Sequence, residues 1–167
     1  GDVEKSIKDV NLIPGATEFG YDTNPVIEAV DAVESRSLNV NQTTAPTDYL
    51  ASLDALQASM PGIEQVALVV SWFGDDLRAA HCTVEPRIEV PARNITSGQA
   101  WAVAGLTRAQ ANTVSQIDGR PAYGGTPSDG SVLRAIGELK RRGLRVALNP
   151  FLLMDIPQDN ELPAPDS

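Results

Sequence analysis

Two apolar stretches decide the fold of this 167-residue chain: VALVVSWF at residues 66–73 and LRVALNPFLLM at residues 144–154. Neither stretch alternates between apolar and polar residues. A continuous apolar run of this length is typical of a strand covered on both faces, as in a parallel sheet. Each run ends in acid, because Asp75 and Asp76 follow the first and Asp155 follows the second. The sequence therefore predicts two buried parallel strands with carboxylates at the same edge.

A helix is predicted before each of these strands. The first begins at the cap Thr47 and is stopped by Pro61; the second begins at the cap Ser128 and is closed by Gly143, which suits a left-handed C-cap. A weaker helical segment is expected from Leu106. The order helix, strand, irregular excursion, helix, strand indicates a parallel βαβ arrangement.

The first part of the chain shows no sustained hydrophobic periodicity of the kind that predicts a helix or a strand. Residues 1–46 are interpreted as an irregular lead-in segment and residues 47–167 as the domain proper. Within the lead-in, residues 10–15 are typical of a short extended piece closed by a Pro-Gly turn. Asn24 and Pro25 suit the cap and first position of a helix.

Composition excludes several classes of function. The formal net charge is -9, which disfavours a general nucleic-acid binder because phosphate contacts need a basic face. A hydrophobic content of 42% is enough for a globular core. The start of the chain shows no signal peptide pattern, and no apolar stretch approaches the roughly 20 residues that span a bilayer.

The low numbers of cysteine and histidine residues limit metal binding and disulfide formation. Cys82 is the one cysteine and His81 the one histidine, so neither a disulfide framework nor a Cys-rich or multi-histidine metal site is expected. Adjacent residues on an extended segment point to opposite faces, so these two do not form a dyad. A buried Cys82 beside a hydrogen-bonded His81 is the expectation. No cofactor is predicted.

The acids at the strand ends are the candidate catalytic residues. Asp75 or Asp76 opposite Asp155 would form an acid/base pair of the glycosidase kind. The alternative is that these carboxylates cap the following turns or pair with Arg78 or another base, which is common loop chemistry. On residue type alone the alternative is favoured, and no catalytic residue is assigned.

Two other motifs have structural explanations. The glycine-rich residues 124–128 precede a helix N-terminus, where an anion can bind, but they lack the Gly-Lys-Ser/Thr of a phosphate loop. A tight turn into a capped helix is the preferred interpretation. The basic run 140–142 suits a helix C-terminus on a solvated face.

Several segments, read in order, resemble one protein family. They are residues 12–15 (LIPG) with 18–19, 52–57 (SLDALQ), 66–78 (VALVVSWFGDDLR), 81–82, 103–108 (VAGLTR), 119–129 (GRPAYGGTPSD) and 149–157. Together they resemble the TIM-barrel-like domain of the baseplate megatron, or host-specificity protein, of gene transfer agents and related tailed phages. The resemblance spans almost the whole chain.

The resemblance implies a structural component of the tail tip, or baseplate, that takes part in host attachment and DNA delivery. Such a protein resides in a virion or phage-like particle and is made in the host bacterial cytoplasm. The implied partners are the rest of the megatron chain, the neighbouring hub and distal tail proteins, further copies in a symmetric homo-oligomer, and host surface polysaccharide. Direct nucleic-acid binding and a transmembrane segment are not expected.

The fold class that follows is α/β: the incomplete, N-terminal portion of a (β/α)8 TIM-barrel-like, glycoside-hydrolase-like domain with an irregular N-terminal extension. A complete barrel needs about 250 residues, and the chain shows two convincing barrel strands. We therefore expect it to be stable only against the rest of its protein or assembly.

Two functions of different class remain open. A structural tail-tip role predicts that the acids at the strand ends are capped or salt-bridged and that other subunits cover the surfaces. A glycoside hydrolase domain that degrades capsule or cell-wall polysaccharide during entry predicts an open cleft at the strand carboxyl ends. In that cleft Asp75, Asp76 or Asp155 would face another acid. The structural role is favoured, because a catalytic partner is not evident in the chain.

Overall fold

The structure, a computed structural model, describes residues 2–15 and 17–156 and is a mixed α/β fold. Its helices are α1 (Asp2–Ser6), α2 (Asp48–Ser59) and α3 (Asp129–Arg141), with a 3-10 helix at Arg108–Gln110. Its strands are β1 (Asp9–Leu12), β2 (Ile27–Ala29), β3 (Ser35–Ser37), β4 (Gln65–Gly74), β5 (Val84–Glu85), β6 (Arg87–Ile88), β7 (Ile95–Ser97), β8 (Ala102–Val103), β9 (Leu106–Thr107), β10 (Asn112–Thr113), β11 (Gln116–Ile117), β12 (Arg120–Pro121) and β13 (Arg145–Met154).

The main sheet has the order β1-β4-β13, with all three strands parallel. Strands β4 and β13 pair along their full length, from Gln65 opposite Arg145 to Gly74 opposite Met154. Short strand β5 adds antiparallel to the end of β4. The predicted parallel βαβ unit, β4-α3-β13, is therefore confirmed. The lead-in segment also contributes to this sheet through β1.

The two long helices begin and end where their capping residues predict. The Thr47 hydroxyl accepts from the backbone N–H of Leu50, and the Ser128 hydroxyl accepts from that of Ser131. After α3, Gly143 has a φ of 80°, the left-handed conformation that suits glycine at a helix C-terminus. Both helices therefore have sequence-encoded boundaries.

The main core lies between the sheet and the two helices. Val66 and Leu68 of β4 are fully buried there, packed against Leu53 of α2 and against Ala135 and Leu139 of α3. A second, smaller cluster of apolar residues lies in the excursion that separates β4 from α3; its buried members are Ile88, Trp101 and Val103.

Two helical expectations are wrong. Residues after Pro25 form β2, which pairs with β3 and β7 in a small antiparallel sheet, because Val26 and Glu28 turn inward toward partners that are distant in sequence. The segment from Leu106 is strand β9 followed by the short 3-10 helix. The spacing of apolar residues along the sequence carries no information about these tertiary contacts, which decide the secondary structure here.

Strand β13 is the outermost strand of the main sheet within the described residues. The backbone N–H groups of Arg145 and Asp155 both point to the β4 side, toward the carbonyls of Glu64 and Gly74. Odd-numbered residues therefore bond inward and even-numbered ones face the outer edge. Pro150 is even-numbered, so its missing N–H falls on the edge that has no neighbouring strand among the described residues.

The sheet of the described residues is open. Its α/β class and parallel order agree with the expected fold class, and closure into a barrel is not seen in this part of the chain.

Candidate functional site at the carboxyl ends of the strands

The three candidate acids lie at one edge of the sheet. Because β4 and β13 are parallel and end in register, at Gly74 and Met154, the residues that follow them emerge side by side. Asp75 and Asp76 follow β4 and Asp155 follows β13. The carboxyl ends of parallel strands are where α/β proteins place functional groups.

Asp155 is buried in an ion pair. The residue is 1% exposed, and its Oδ2 accepts from Nη1 of Arg87 at 2.9 Å and from the backbone N–H of Ser115 at 2.9 Å. Its backbone N–H donates to the carbonyl of Gly74 at 2.9 Å. The carboxylate is thus held by a cation, a backbone donor and its place in the sheet.

Arg87 connects this edge to the excursion. Its side chain is 8% exposed, and its Nε donates to Oε1 of Glu85 at 2.9 Å. Its Nη1 also donates to the backbone carbonyl of Asp155 at 3.1 Å. A buried guanidinium is stable when its donors are paired, and here two carboxylates supply the pairing.

Asp76 pairs with Arg78, the base that the sequence alternative named. The Arg78 guanidinium donates from Nη2 to Oδ2 at 2.6 Å and from Nε to Oδ1 at 3.0 Å, and its backbone N–H donates to Oδ1 at 2.8 Å. These hydrogen bonds lower the pKa of Asp76 to about 2, against the opposing effect of desolvation. A carboxylate held ionised in this way is a poor general acid at neutral pH.

Asp75 closes the loop that follows β4. Its Oδ1 accepts from the backbone N–H of Thr83 at 2.7 Å. In the same loop Cys82 is half-buried, with its Sγ 3.8 Å from the carbonyl of Thr83, while His81 is exposed. The expectation of a fully buried Cys82 beside a hydrogen-bonded His81 is therefore wrong, because the two occupy a solvent-facing turn.

A cleft of about 630 Å³ opens beside Asp155. Its lining includes Arg87, Ser115 and Tyr123. The Tyr123 hydroxyl donates to the carbonyl of Met154 at 3.4 Å, a long bond. Asp155 is the one acid among the described residues that line the cleft, so no second carboxylate stands opposite it there. The pair that glycosidase chemistry requires is not assembled by the described part of the chain.

A second group of charged residues, which the sequence did not predict, is brought together by the fold. Glu18 is completely buried, and its Oε1 lies 2.5 Å from Nη2 of Arg108 and 3.3 Å from Nε of Arg93. Arg93 also pairs with Glu89 at 2.8 Å and with Glu28 at 3.2 Å. We call these five residues the buried charge cluster. Glu89 and Arg93 are four residues apart, but the other members come from distant segments, so the sequence does not signal the cluster as a whole.

Three members of the buried charge cluster, Glu28, Glu89 and Arg93, line a cleft of about 630 Å³, whereas the Glu18 side chain is fully buried. Burial raises the pKa of Glu18, Arg108 opposes this shift, and the like charge of Glu89 adds to it. Glu18 Oε2 has no hydrogen-bond partner among the described residues. It packs against Gly125, where a Cβ atom would lie 2.9 Å from Oε2. The cluster ties the lead-in segment to the excursion, which is a structural role.

No group of three or more His, Cys, Asp or Glu side chains among the described residues is arranged to hold a metal ion. No helix within residues 2–15 and 17–156 is long and apolar enough to cross a membrane.

Comparisons with known proteins add no family assignment. No protein-family model and no curated protein matches this chain.

Proposed function

We propose that this chain is a structural part of the tail tip, or baseplate, of a tailed phage or gene transfer agent. It would belong to the megatron protein, with a role in host attachment and DNA delivery. The proposal rests on the sequence resemblance and on the state of the acids at the strand ends. Its site of action is the tip of a virion or phage-like particle.

The observation that carries the proposal is the pairing of Asp155. This residue is in the position where a catalytic acid of a barrel would lie, yet its Oδ2 is occupied by Arg87 and by the Ser115 N–H. Asp76 is occupied by Arg78 and Asp75 by the Thr83 N–H. A scaffold is expected to have its strand-end acids capped in this way, whereas a glycosidase keeps an acid pair facing its substrate.

The finer fold that we propose is the first portion of a (β/α)8 barrel. The supporting features are the parallel order of β1, β4 and β13 and the position of α3 between the parallel strands β4 and β13 along the chain. Strand β13 supports it further, because Leu148, Phe151 and Leu152 are 58%, 42% and 52% exposed. A strand that is apolar on both faces is completed by further strands and helices. In the proposed assembly these come from the rest of the megatron and its tail-tip neighbours.

One observation favours the second candidate, a glycoside hydrolase domain acting on capsule or cell-wall polysaccharide. The cleft of about 630 Å³ lies at the carboxyl ends of the strands and contains both Asp155 and the aromatic Tyr123. Aromatic rings beside a carboxylate are a common arrangement for sugar binding. The enzyme would then need an acid from outside the described residues to complete the pair.

The test uses the complete protein on host capsule and wall polysaccharide, with release of reducing sugar as the measurement. The structural role predicts no release by the native protein. Asp155→Asn and, as a control at an exposed acid outside the cleft, Asp129→Asn would be compared after circular dichroism confirms that both are folded. Release that is abolished by Asp155→Asn and retained by Asp129→Asn would overturn the structural proposal in favour of the enzyme.

A further inference from the structure

The cleft that borders the buried charge cluster is lined by two hairpins from distant parts of the chain. The β2–β3 hairpin supplies Glu28 and Arg36, and the β11–β12 hairpin supplies Arg120. Glu89 and Arg93 complete the charged part of the lining. We call this cleft, which has a volume of about 630 Å³, the hairpin cleft.

Arg120 differs from every other arginine of the chain. The other nine arginines in the sequence each lie within 3.5 Å of an Asp or Glu oxygen. The exposed Arg120 side chain has no hydrogen bond or ion pair among the described residues. In a chain with a formal net charge of -9, a guanidinium that no carboxylate holds is an exception. Its place on the wall of a cleft indicates an anion supplied from outside the chain.

The rest of the charged lining is fixed in position before any ligand arrives. The side chains of Glu28, Glu89 and Arg93 are 10%, 9% and 8% exposed, and Arg93 joins the two glutamates at 3.2 and 2.8 Å. Arg36 donates from Nε and Nη2 to Glu28 Oε2 at 2.9 and 2.7 Å, which leaves its Nη1 without a partner among the described residues. Three arginines and two glutamates give the hairpin cleft a formal charge of +1.

This chemistry selects a ligand that carries both a carboxylate and hydrogen-bond donors. Planar guanidinium groups recognise a carboxylate through paired hydrogen bonds. Ionised glutamates only accept hydrogen bonds, and Glu28 Oε1 accepts a single long one, at 3.3 Å from Arg93. A uronic acid offers a carboxylate and several hydroxyl groups on one ring. We propose that the hairpin cleft binds a carboxylated sugar, with Arg120 and Arg36 facing its carboxylate and Glu28 accepting from a hydroxyl group.

The remaining lining also suits a sugar. Pro121 and Tyr123 add apolar surface for the C–H face of a pyranose ring. A nucleic-acid backbone is a poorer match, because its phosphates set repeated negative charge and no donors against the two glutamates. This inference deepens the attachment role and rests on the proposed function, in which the sugar belongs to host surface polysaccharide.

The experiment is isothermal titration calorimetry of the complete protein with trigalacturonic acid and with a hyaluronan tetrasaccharide. We expect binding of at least one of these acids, weakened by added salt. Fully methyl-esterified trigalacturonic acid keeps the hydroxyl groups without the charge and tests that part of the ligand.

The variants localise the binding. Arg120→Ala, which removes an exposed and unpaired side chain, is expected to fold like the native chain and to bind at least about tenfold more weakly. Arg120→Lys keeps the charge without the planar fork and is expected to be intermediate. Arg145→Ala is the matched control: its side chain is 67% exposed, it lies outside the lining of the hairpin cleft, and binding should be unchanged.

Four results would each overturn the proposal: no binding of either acid, equal affinity for a bound trigalacturonic acid and its methyl ester, full affinity in Arg120→Ala, or tighter binding of a hexaglutamate peptide. The last would assign the hairpin cleft to an acidic peptide. Any of these leaves the structural tail-tip role standing, because binding is measured apart from the particle. Absence of the protein from purified particles would instead refute the tail-tip role and leave the measured sugar affinity intact.

Discussion

Strands β4 and β13 have nearly the same sequence character and opposite surroundings. Both are ten residues long, both are parallel, and they pair residue for residue. In β4, Leu68 and Phe73 are completely buried, whereas in β13 Leu148 and Leu152 are more than half exposed. The difference lies in their neighbours: β4 has β1, β5 and β13 beside it, while β13 has β4 alone among the described strands.

An apolar run in the sequence indicates that a strand requires burial, but it does not identify the residues that bury it. For β4 the burial comes from α2, α3 and the excursion. For β13 part of the burial is not provided by the described residues, so its leucines face solvent. An exposed apolar edge strand is a site of association. We therefore expect changes in β4 to affect folding and changes in β13 to affect assembly.

The largest expected effect is on the stability of the isolated chain when the core side of β4 is truncated. Leu68→Ala should lower the free energy of unfolding by about 4 kcal/mol, because it removes a fully buried side chain and leaves a cavity. Leu148→Ala on β13 should change it by less than about 1 kcal/mol. Urea denaturation followed by circular dichroism measures both. Equal losses would show that β13 is as well covered as β4.

The next effect concerns the acid that ends β13. Asp155→Asn should lower the free energy of unfolding by about 3 kcal/mol, because it leaves the buried Arg87 with only Glu85 as its anionic partner. Asp75→Asn is the control at the end of β4: its carboxylate accepts one hydrogen bond in an exposed loop, so a loss of about 1 kcal/mol or less is expected. A stability of Asp155→Asn equal to that of the native chain would contradict the structural assignment of this residue.

Much of the sheet could be predicted because its signals are local. The apolar runs of β4 and β13 and the caps Thr47, Ser128 and Gly143 are properties of short segments, and the structure confirms the elements that they define. The pairing of β1 with β4 is different. It depends on a contact between residues more than 50 positions apart, so residues 10–15 could be predicted as a short extended piece but not assigned a partner strand.

The site was less predictable for the same reason. The pairing of Asp76 with Arg78 spans two residues and was an explicit alternative, whereas Arg87 and Asp155 are 68 positions apart. The buried charge cluster is even harder to predict from local sequence, because Glu18 and Arg108 are separated by 90 positions. Ion pairs between such distant residues form only when the packing of the apolar segments brings their side chains together, so the local sequence does not predict them.

A third change addresses the outer edge of β13. Pro150→Val should restore the missing edge donor and strengthen strand-to-strand association, because proline blocks a hydrogen bond at that edge. The stability of the monomer should change by less than about 0.5 kcal/mol. Turbidity and light scattering at rising concentration measure the effect. Val70→Ile, which makes a conservative apolar change on the central strand without altering a backbone donor, is the control and should leave association unchanged.

The smallest expected effect is a pH dependence at the end of α3, which covers β4. Hydrogen bonds from Arg141, together with those from Arg142, lower the pKa of Glu138 to about 2, against the opposing effect of desolvation. A lowered pKa means that this group stabilises the fold above its unfolded value of 4.5 and that the contribution is lost as the pH falls toward 2. Glu138→Gln should therefore destabilise the chain at pH 7 and have little effect near pH 2. A stability difference that stays constant across this range would argue against the ion pairs.

In the proposed function, β13 is an interior strand of a larger tail-tip assembly, and Asp155 has a structural role there. A structure of the complete protein in its particle, determined by electron cryomicroscopy, decides this. We expect a further strand hydrogen-bonded to the outer edge of β13, on either side of Pro150, with the Asp155–Arg87 pair intact. A solvent-facing β13 edge, together with Asp155 turned away from Arg87 toward a second acid in an open cleft, would contradict it.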